Sequence, residues 1–279
     1  MTALAAKVEG APLPVAPGRV EPQPAREAGA EAIPRYLPEL ILLADPALPI
    51  GTFSHSFGLE AFFFRARFTK GDPALAEALC AWLWSEWGGL DGPAFALAHK
   101  AARRGDPAAL VELDRALDAM RLPAEWRRAG RQIGRQLARL DQRTAAGEGW
   151  AAPGVAPQGP AEALRALAAF EKDISQGAAP GQYPVVAGAV HAARGIPLEA
   201  GLTGFALSSV ASAVAAAVRL VPLGQVEGQI LLRRLYATLA PAVERAASAS
   251  RLEDLGGFAP AFEIEGMAHE VLETRLFIS

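Results

Sequence analysis

The fold class follows from one stretch of the sequence, Leu75-Ala-Glu-Ala-Leu79-Cys-Ala-Trp-Leu83-Trp-Ser-Glu-Trp87. Its large apolar residues recur at every fourth position, which places them on one face of an α-helix. Pro73 precedes them, and a proline in the first turn of a helix loses no hydrogen bond because the N–H groups there have no intrahelical partner. The stretch therefore predicts a long amphipathic helix that begins near Pro73.

The same spacing of three and four residues recurs along most of the chain. Apolar stripes lie within residues 110–120, 133–140, 164–174, 210–218 and 231–239, and a shorter helix is expected at 36–44. The β-branched cluster Tyr183-Pro-Val-Val186 is short and broken by proline, and no segment alternates long enough to require a sheet. The sequence therefore predicts an all-α protein with a single compact helical domain over residues 35–279.

Two segments lack this periodicity. Residues 1–34 are rich in proline and contain no aromatic residue, which predicts a flexible tail. Residues 145–160 contain four glycines and three prolines. Because helices of the same character lie on both sides, this second segment predicts a disordered loop inside the domain and not a domain boundary.

Composition excludes several classes of protein. Of 279 residues, 51% are hydrophobic and 20% are charged, which is typical of a globular chain. A net charge of -3 lacks the basic excess of nucleic-acid-binding proteins. One cysteine, Cys80, makes no internal disulfide, so we expect a reducing, cytoplasmic location. Residues 199–219 are long enough to span a membrane, but serines interrupt them, and we expect a buried core helix and no membrane insertion. A membrane-embedded bundle, which would require detergent for extraction, is the alternative.

Common catalytic signatures are missing from the sequence. It has neither a Gly-x-x-x-x-Gly-Lys-Ser/Thr phosphate loop nor a Gly-x-Ser-x-Gly nucleophile turn. His269-Glu270 begins like a zinc-protease motif, but Glu273 stands where the second histidine ligand belongs. We therefore predict no catalytic residue, no metal site and no stably bound cofactor.

Three segments carry unusual compositions. The first, Leu48-Pro-Ile-Gly-Thr-Phe-Ser-His-Ser-Phe-Gly-Leu-Glu60, concentrates aromatic and small polar residues before a helix that Ser54 is predicted to cap. The second is Arg219-Leu-Val-Pro-Leu-Gly-Gln-Val-Glu-Gly-Gln229, whose Gln225 and Gln229 share one helix face. The third, His269-Glu-Val-Leu-Glu-Thr-Arg-Leu-Phe-Ile-Ser279, ends on large apolar residues, which must dock on their own domain or on another protein. Each segment fits either a partner surface or ordinary packing and solvation.

Together these segments resemble the UreF family of urease accessory proteins. Residues 125–140 and the elements Tyr183-Pro-Val-Val186 and Gly195-Ile196 are also similar to family elements, and the matches follow the family's order over residues 36–279. Phe53 stands where the family often carries tyrosine.

The resemblance implies a non-enzymatic factor that helps deliver nickel to apo-urease. It implies a homodimer that binds the accessory protein UreD (also called UreH), recruits the GTPase UreG and influences its GTP hydrolysis, with nickel handled by the assembled complex. The candidate partner or dimer contacts are Phe53, Ser54, His55, Phe57, Gly58, Glu60, Arg219, Gln225, Gln229, His269, Arg275, Leu276, Phe277 and Ser279.

Two alternatives remain at the level of sequence. A small-molecule enzyme would use Ser54, His55 and Ser56, with His269-Glu270, in a helical pocket. Separately, arginines at 127, 131, 135 and 139 form a stripe at four-residue spacing, which is either a solvated helix face or a surface for an acidic partner.

Overall fold

The computed structural model describes residues 33–145 and 159–279, and all regular secondary structure in these two ranges is helical. The α-helices are α1 (Leu37–Ala44), α2 (Leu59–Ala66), α3 (Pro73–Trp82), α4 (Gly92–Arg103), α5 (Pro107–Met120), α6 (Ala124–Ala145), α7 (Ala161–Ser175), α8 (Tyr183–Ala193), α9 (Leu198–Leu220), α10 (Gln225–Ser248) and α11 (Pro260–His269). Short 3₁₀ turns occupy Thr52–Ser54 and Leu252–Asp254, and a π-helix occupies Leu83–Asp91. The all-α prediction is confirmed, and the helices form one compact domain.

The predicted helix at Pro73 begins at that residue. The side chain of Asp72 caps it by accepting from the backbone N–H of Ala74 at 3.0 Å. The helix changes to the π-helix at Leu83, and α4 then continues the chain. Leu83 and Trp87 are buried like the residues of the stripe before them. Apolar spacing therefore predicted which residues are buried. It did not predict the π-helix, a form of helix that is common at functional sites.

The centre of the domain is the contact between α4 and α8, and α8 also packs on α6 and α7. A Cβ at Gly188 of α8 would overlap the carbonyl oxygen of Phe95 in α4, so glycine permits this close approach. The β-branched cluster forms the first turn of α8, because Pro184 suits a helix start and Val185 and Val186 are fully buried.

The apolar helix α9 packs against α10, α1 and α2. Among the described residues it is the one helix long and apolar enough to cross a membrane, and 61% of its most apolar window is buried inside the domain. Burial of that extent is typical of the core helix of a soluble protein. It agrees with the buried core helix that we expected because serines interrupt the apolar run.

The predictions of a flexible tail and of a disordered loop fall on residues 1–32 and 146–158, which lie outside the described residues.

Candidate functional site

The last residues of the chain fold back onto the loop that precedes α2. The carbonyl oxygen of Ser279 accepts from the backbone N–H groups of Ser56 and, at 3.1 Å, Phe57. It also accepts from the hydroxyl of Ser56 at 2.9 Å, and the N–H of Ile278 donates to the carbonyl of Ser54 at 2.9 Å. Two of the segments singled out in the sequence are therefore one structural unit.

Side chains in residues 276–279 alternate between the interior and the surface. Phe277 and Ser279 are 6% and 1% exposed, whereas Leu276 and Ile278 are 63% and 60% exposed. An extended backbone points successive side chains to opposite sides. The segment thus docks on its own domain through one side and presents an apolar edge on the other.

Glu60 in α2 is the acceptor that holds this segment. Its carboxylate accepts from the backbone N–H groups of Leu276 at 2.7 Å and Phe277 at 3.0 Å. The same carboxylate lies 2.9 Å from Nε2 of His269, at the end of α11. Glu60 is 6% exposed, and these three contacts compensate the loss of water around its charge.

Glu125, at the start of α6, completes the arrangement. Its carboxylate lies 2.7 Å from Nδ1 of His269 and accepts from Arg275 at 2.7 Å. Both ring nitrogens of His269 therefore face a carboxylate. We call Glu60, Glu125, His269 and Arg275 the terminal cluster.

A hydrogen bond at the start of α6 also joins that helix to the residue after His269. Glu270 accepts from the N–H of Ala124 at 2.8 Å, which places a carboxylate at the N-terminus of α6.

The prediction that Ser54 caps α2 is wrong, because Ser54 lies in a 3₁₀ turn and α2 begins only at Leu59. Ser56 performs the capping contact instead, accepting from the N–H of Glu60 at 3.3 Å.

Next to the terminal cluster lies an exposed patch, which we define as Phe53, Arg219, Leu276 and Ile278. Phe53 is 63% exposed, and the Arg219 guanidinium stacks over its ring at 4.0 Å. Arg219 also lies 5.6 Å from the ring of Phe277. The end of α9, the 3₁₀ turn and the last residues of the chain therefore meet at one surface.

The predicted contact residues fall into three groups. His55, Gly58, Glu60, His269, Phe277 and Ser279 are buried, Ser54 and Phe57 are half-buried, and Phe53, Arg219, Gln225, Gln229, Arg275 and Leu276 are exposed. Gln225 and Gln229 lie on the open side of the first turns of α10. The buried group shapes the loop and the end of the chain, and the exposed group is available to a partner.

A cavity of about 70 Å³, partly open to solvent, lies beneath the same loop, between the π-helix, α6, α8 and α9. Polar groups in its wall include His55, Glu86, Asp91, Arg121 and Tyr183. Arg121 and Asp91 form an ion pair at 2.5 Å. Burial raises the pKa of Glu86 to about 7, with a further contribution from Asp91, and burial lowers the pKa of His55 below its usual value.

Several of these residues escaped the sequence analysis. Glu125, Glu86 and Arg121 were not singled out individually, because each lies on a separate helical element or loop and no local motif joins them. One signal was present: Glu86 is a carboxylate between Trp84 and Trp87 on an otherwise apolar helix. A charged residue in such a position requires a compensating environment, which only the fold supplies.

The arginine stripe of α6 is largely engaged within the chain. Arg131 forms a bidentate ion pair with Asp118, and its Nε lies 2.6 Å from the carboxylate. Arg127 donates to the carbonyl groups of Arg121 and Leu122, and Arg135 donates to the carbonyl of Pro180 at 3.1 Å. These contacts fasten neighbouring elements to α6, and neither a solvated face nor an acidic partner is needed to account for them.

No group of three or more His, Cys, Asp or Glu side chains within residues 33–145 and 159–279 is arranged to hold a metal ion. The carboxylates around His269 are instead engaged by Arg275 and by backbone N–H groups. The geometry therefore resembles a structural ion network, with the surface patch beside it.

Comparison with known proteins gives a consistent result. The UreF family model matches residues 70–236. The urease accessory protein UreF of Haemophilus influenzae (strain PittEE) is 32% identical over 240 residues, covering 86% of this chain and 94% of the relative. The protein of the same name from Actinobacillus pleuropneumoniae serotype 3 is 31% identical over 240 residues, covering 86% of this chain and 97% of that one.

A fused relative matches as well. The bifunctional urease accessory protein UreEF of Bordetella bronchiseptica is 35% identical over 250 residues, which cover 87% of this chain and 52% of the relative. In that protein the matching region is therefore joined to a second accessory unit.

Proposed function

The chain belongs to the UreF family of urease accessory proteins, and on that basis we propose that it is a scaffold for nickel insertion into apo-urease. The family consists of chaperone-type accessory proteins and not of enzymes. In this proposal the chain binds UreD (UreH), and the pair recruits the GTPase UreG and modulates its GTP hydrolysis. The protein acts in the cytoplasm as a homodimer, holds no cofactor of its own, and leaves nickel to the assembled complex.

The observation that carries the proposal is the exposed patch beside the terminal cluster. Leu276 and Ile278 face outward on a segment whose backbone N–H groups donate to the carboxylate of Glu60 and whose other two side chains are buried. Exposed apolar residues on a rigid support are typical of protein-binding surfaces, because little conformational entropy is lost when a partner docks. The fused relative supports association with other accessory proteins, since its UreF-like region is joined to another such unit.

The enzyme alternative has no comparable support. Nδ1 of His55 lies 2.8 Å from the hydroxyl of Ser279, but that serine is 1% exposed, and its carbonyl oxygen is already bound by the loop. A serine nucleophile needs both an activating base and access to substrate. The pairing of His55 with Ser279 therefore fits a structural role.

The first experiment is co-expression of this chain with UreD and UreG of the same organism, followed by affinity capture, sizing and activation of apo-urease with nickel. We expect a stoichiometric complex that activates apo-urease only when this chain is present. Nickel analysis of the isolated chain should find less than one ion per protomer. A chain that captures neither partner, and whose omission leaves activation unchanged, would contradict the proposal.

A double substitution tests the patch. Leu276→Asp with Ile278→Asp should abolish capture of UreD while leaving the melting temperature unchanged, because both side chains already face solvent. Truncation of residues 276–279 is less informative, since it also removes the buried Phe277 and Ser279. Phe64→Asp, at a residue that is 77% exposed on α2, is the matched control. Full capture by the double variant would show that the patch is not the UreD surface.

The oligomeric state is tested separately. Sedimentation equilibrium of the isolated chain should give the mass of a dimer, and a monomer at all concentrations would contradict the homodimer.

A further inference from the structure

Two histidines lie in the core where α4, α8 and α9 meet. His191 of α8 is buried, and its imidazole packs against the ring of Phe95 in α4, with the two ring centroids 5.0 Å apart. His99 of α4 is also buried, and its ring lies nearly parallel to that of Phe95 at 6.5 Å. The contact between α4 and α8 at the centre of the domain therefore includes two imidazole rings.

The hydrogen bonds of the two rings fix where each carries its hydrogen. Nδ1 of His191 lies 2.8 Å from the carbonyl oxygen of Ala187, and Nε2 of His99 lies 2.8 Å from that of Ile196. A carbonyl oxygen only accepts, so Nδ1 of His191 and Nε2 of His99 are the donors. Nε2 of His191 is then the atom that would take a second proton.

The surroundings of Nε2 of His191 do not suit a charge. The atom is buried and has no hydrogen-bond partner within residues 33–145 and 159–279. A Cβ at Gly201 would lie 3.2 Å from Cδ2, the ring carbon bonded to Nε2, so the glycine lets α9 pack closely on this side of the ring. Burial lowers the pKa of His191 from 6.5 to about 4, and burial also lowers the pKa of His99.

The charged groups of the neighbouring helices provide no counter-ion for His191. Lys100 and Arg103 of α4 are cations, and Glu199 of α9 acts on the pKa of His99. Among the described residues, His99 is the one titratable group whose charge bears on the pKa of His191.

Carboxylates on the other helices packed on α8 have partners of their own. Asp114 of α5 accepts from the backbone N–H groups of Gly181 and Gln182, Asp118 of α5 pairs with Arg131, Asp141 of α6 pairs with Arg194, and Glu171 of α7 accepts from Gln142. A proton on Nε2 of His191 would therefore create a buried charge without an acceptor, which costs free energy of folding.

We propose that His191 is a pH-sensitive switch: α8 stays packed on α4 and α9 only while this imidazole is neutral, and its protonation in acid opens the contact. The opened form exposes Nε2 to water and so accepts the proton. His269 of the terminal cluster is the opposite case, since both of its ring nitrogens face a carboxylate.

The sign of the effect follows from the lowered pKa. The unfolded chain binds a proton at His191 more readily than the folded chain does, so stability decreases as the pH falls. The contribution of the neutral ring is fully present above pH 6.5 and is lost progressively as the pH falls towards 4.

The first test compares the wild type with His191→Phe, which cannot bind a proton. Chemical denaturation at about pH 7.5 and about pH 5 gives the unfolding equilibrium constant of each protein. We expect the constant of the wild type, relative to that of the variant, to rise about 30-fold from the higher to the lower pH. Carboxylates that titrate in this range contribute to both proteins and cancel in the ratio. A ratio that does not change with pH would overturn the proposal.

Two further variants separate the charge from the packing. His191→Gln is smaller than phenylalanine beside Gly201 and cannot ionise either, so it should give the same change with pH whatever its stability at neutral pH. Val190→Ala truncates a fully buried neighbour on α8 and keeps His191. This control should be less stable than the wild type by a factor that does not depend on pH. A dependence on pH in Val190→Ala equal to that of the two His191 variants would overturn the proposal.

Nuclear magnetic resonance of the full chain with ¹⁵N-labelled histidine observes the switch directly. We expect His191 to be neutral with its hydrogen on Nδ1 from about pH 7.5 to about pH 5, and the amide protection factors of α8 to decrease as the ring takes up its second proton. A ring that titrates near 6.5, a neutral ring with its hydrogen on Nε2, or protonation that leaves the protection of α8 intact would each overturn the proposal.

Discussion

The terminal cluster and the cavity lie on either side of the same loop and differ in how completely their buried polar groups are paired. In the terminal cluster, Glu60 and Glu125 both face His269, and they accept from backbone N–H groups and from Arg275 respectively. Among the cavity-lining residues, Nε1 of Trp87 and Nε1 of Trp126 have no acceptor in the part of the chain that the structure describes. A fully paired hydrogen-bond network fixes one conformation, whereas a buried donor without an acceptor costs free energy of unfolding. The contrast separates the part of the site that hydrogen bonds hold in place from the part where buried polar groups are incompletely paired.

The largest effect is expected where the network is broken. Glu60→Ala removes the acceptor of two backbone N–H groups and one of the two carboxylates facing His269. Loss of one partner from a buried ionic network costs about 3–5 kcal/mol of the free energy of unfolding. Thermal denaturation measures this loss, and faster hydrogen exchange at the amides of Leu276 and Phe277 would locate it.

Glu77→Ala, at an exposed glutamate on α3, is the control and should change stability by less than about 0.5 kcal/mol. Equal effects of the two substitutions would mean that the terminal cluster is not a closed network.

The next effect concerns the cavity and depends on pH. Burial raises the pKa of Glu86 from 4.5 to about 7, so the folded state holds the proton more tightly than the unfolded state. The contribution of Glu86 to stability is therefore present below its unfolded pKa and is lost as the pH rises towards 7. Glu86→Gln cannot ionise, so its stability relative to the wild type should increase by on the order of 3 kcal/mol between about pH 5 and about pH 8.

Chemical denaturation at several pH values measures this difference, and Glu77→Gln should show none. A relative stability of Glu86→Gln that is constant with pH would show that Glu86 is solvated, and the contrast between the two regions would weaken.

The smallest effect is the difference between alanine substitutions at two glycines of this loop. Gly58 has a φ of +79°, and a Cβ there would lie 2.8 Å from the ring of Trp126. Gly51 has a φ of +91° and open space around its Cβ position. Alanine at either position adds backbone strain of about 1–2 kcal/mol, and at Gly58 it adds about 1–3 kcal/mol more from displacement of the indole.

The difference between Gly58→Ala and Gly51→Ala in denaturant unfolding measures the close contacts of this position with Trp126 and with the backbone of Gly266. Equal losses for the two variants would mean that the indole moves freely and that the wall is not tightly packed.

The sequence predicted much of the helical framework and part of the site. The stripe from Leu75 to Trp87 identified buried residues correctly, because one face of a regular helix must leave water in any compact fold. Prediction was less complete where contacts are long-range. Glu60 meets Phe277 across 217 residues, and no local pattern in either segment specifies the other. The cap predicted at Ser54 was wrong for a related reason. Residues 276–279 hydrogen-bond to the loop that contains Ser54, and α2 begins five residues after Ser54.

By itself, the sequence determined the helical class, the main apolar stripes and the resemblance of three segments to one family, because periodicity and short motifs are local properties of a chain. The tertiary structure decided which candidates are buried and which are exposed. It brought Glu125 to His269, placed Glu86 and Arg121 around one cavity, and turned Leu276 and Ile278 outward. Those outcomes depend on the packing of distant helices, since burial and ion pairing are set by neighbours in space and not by neighbours in sequence.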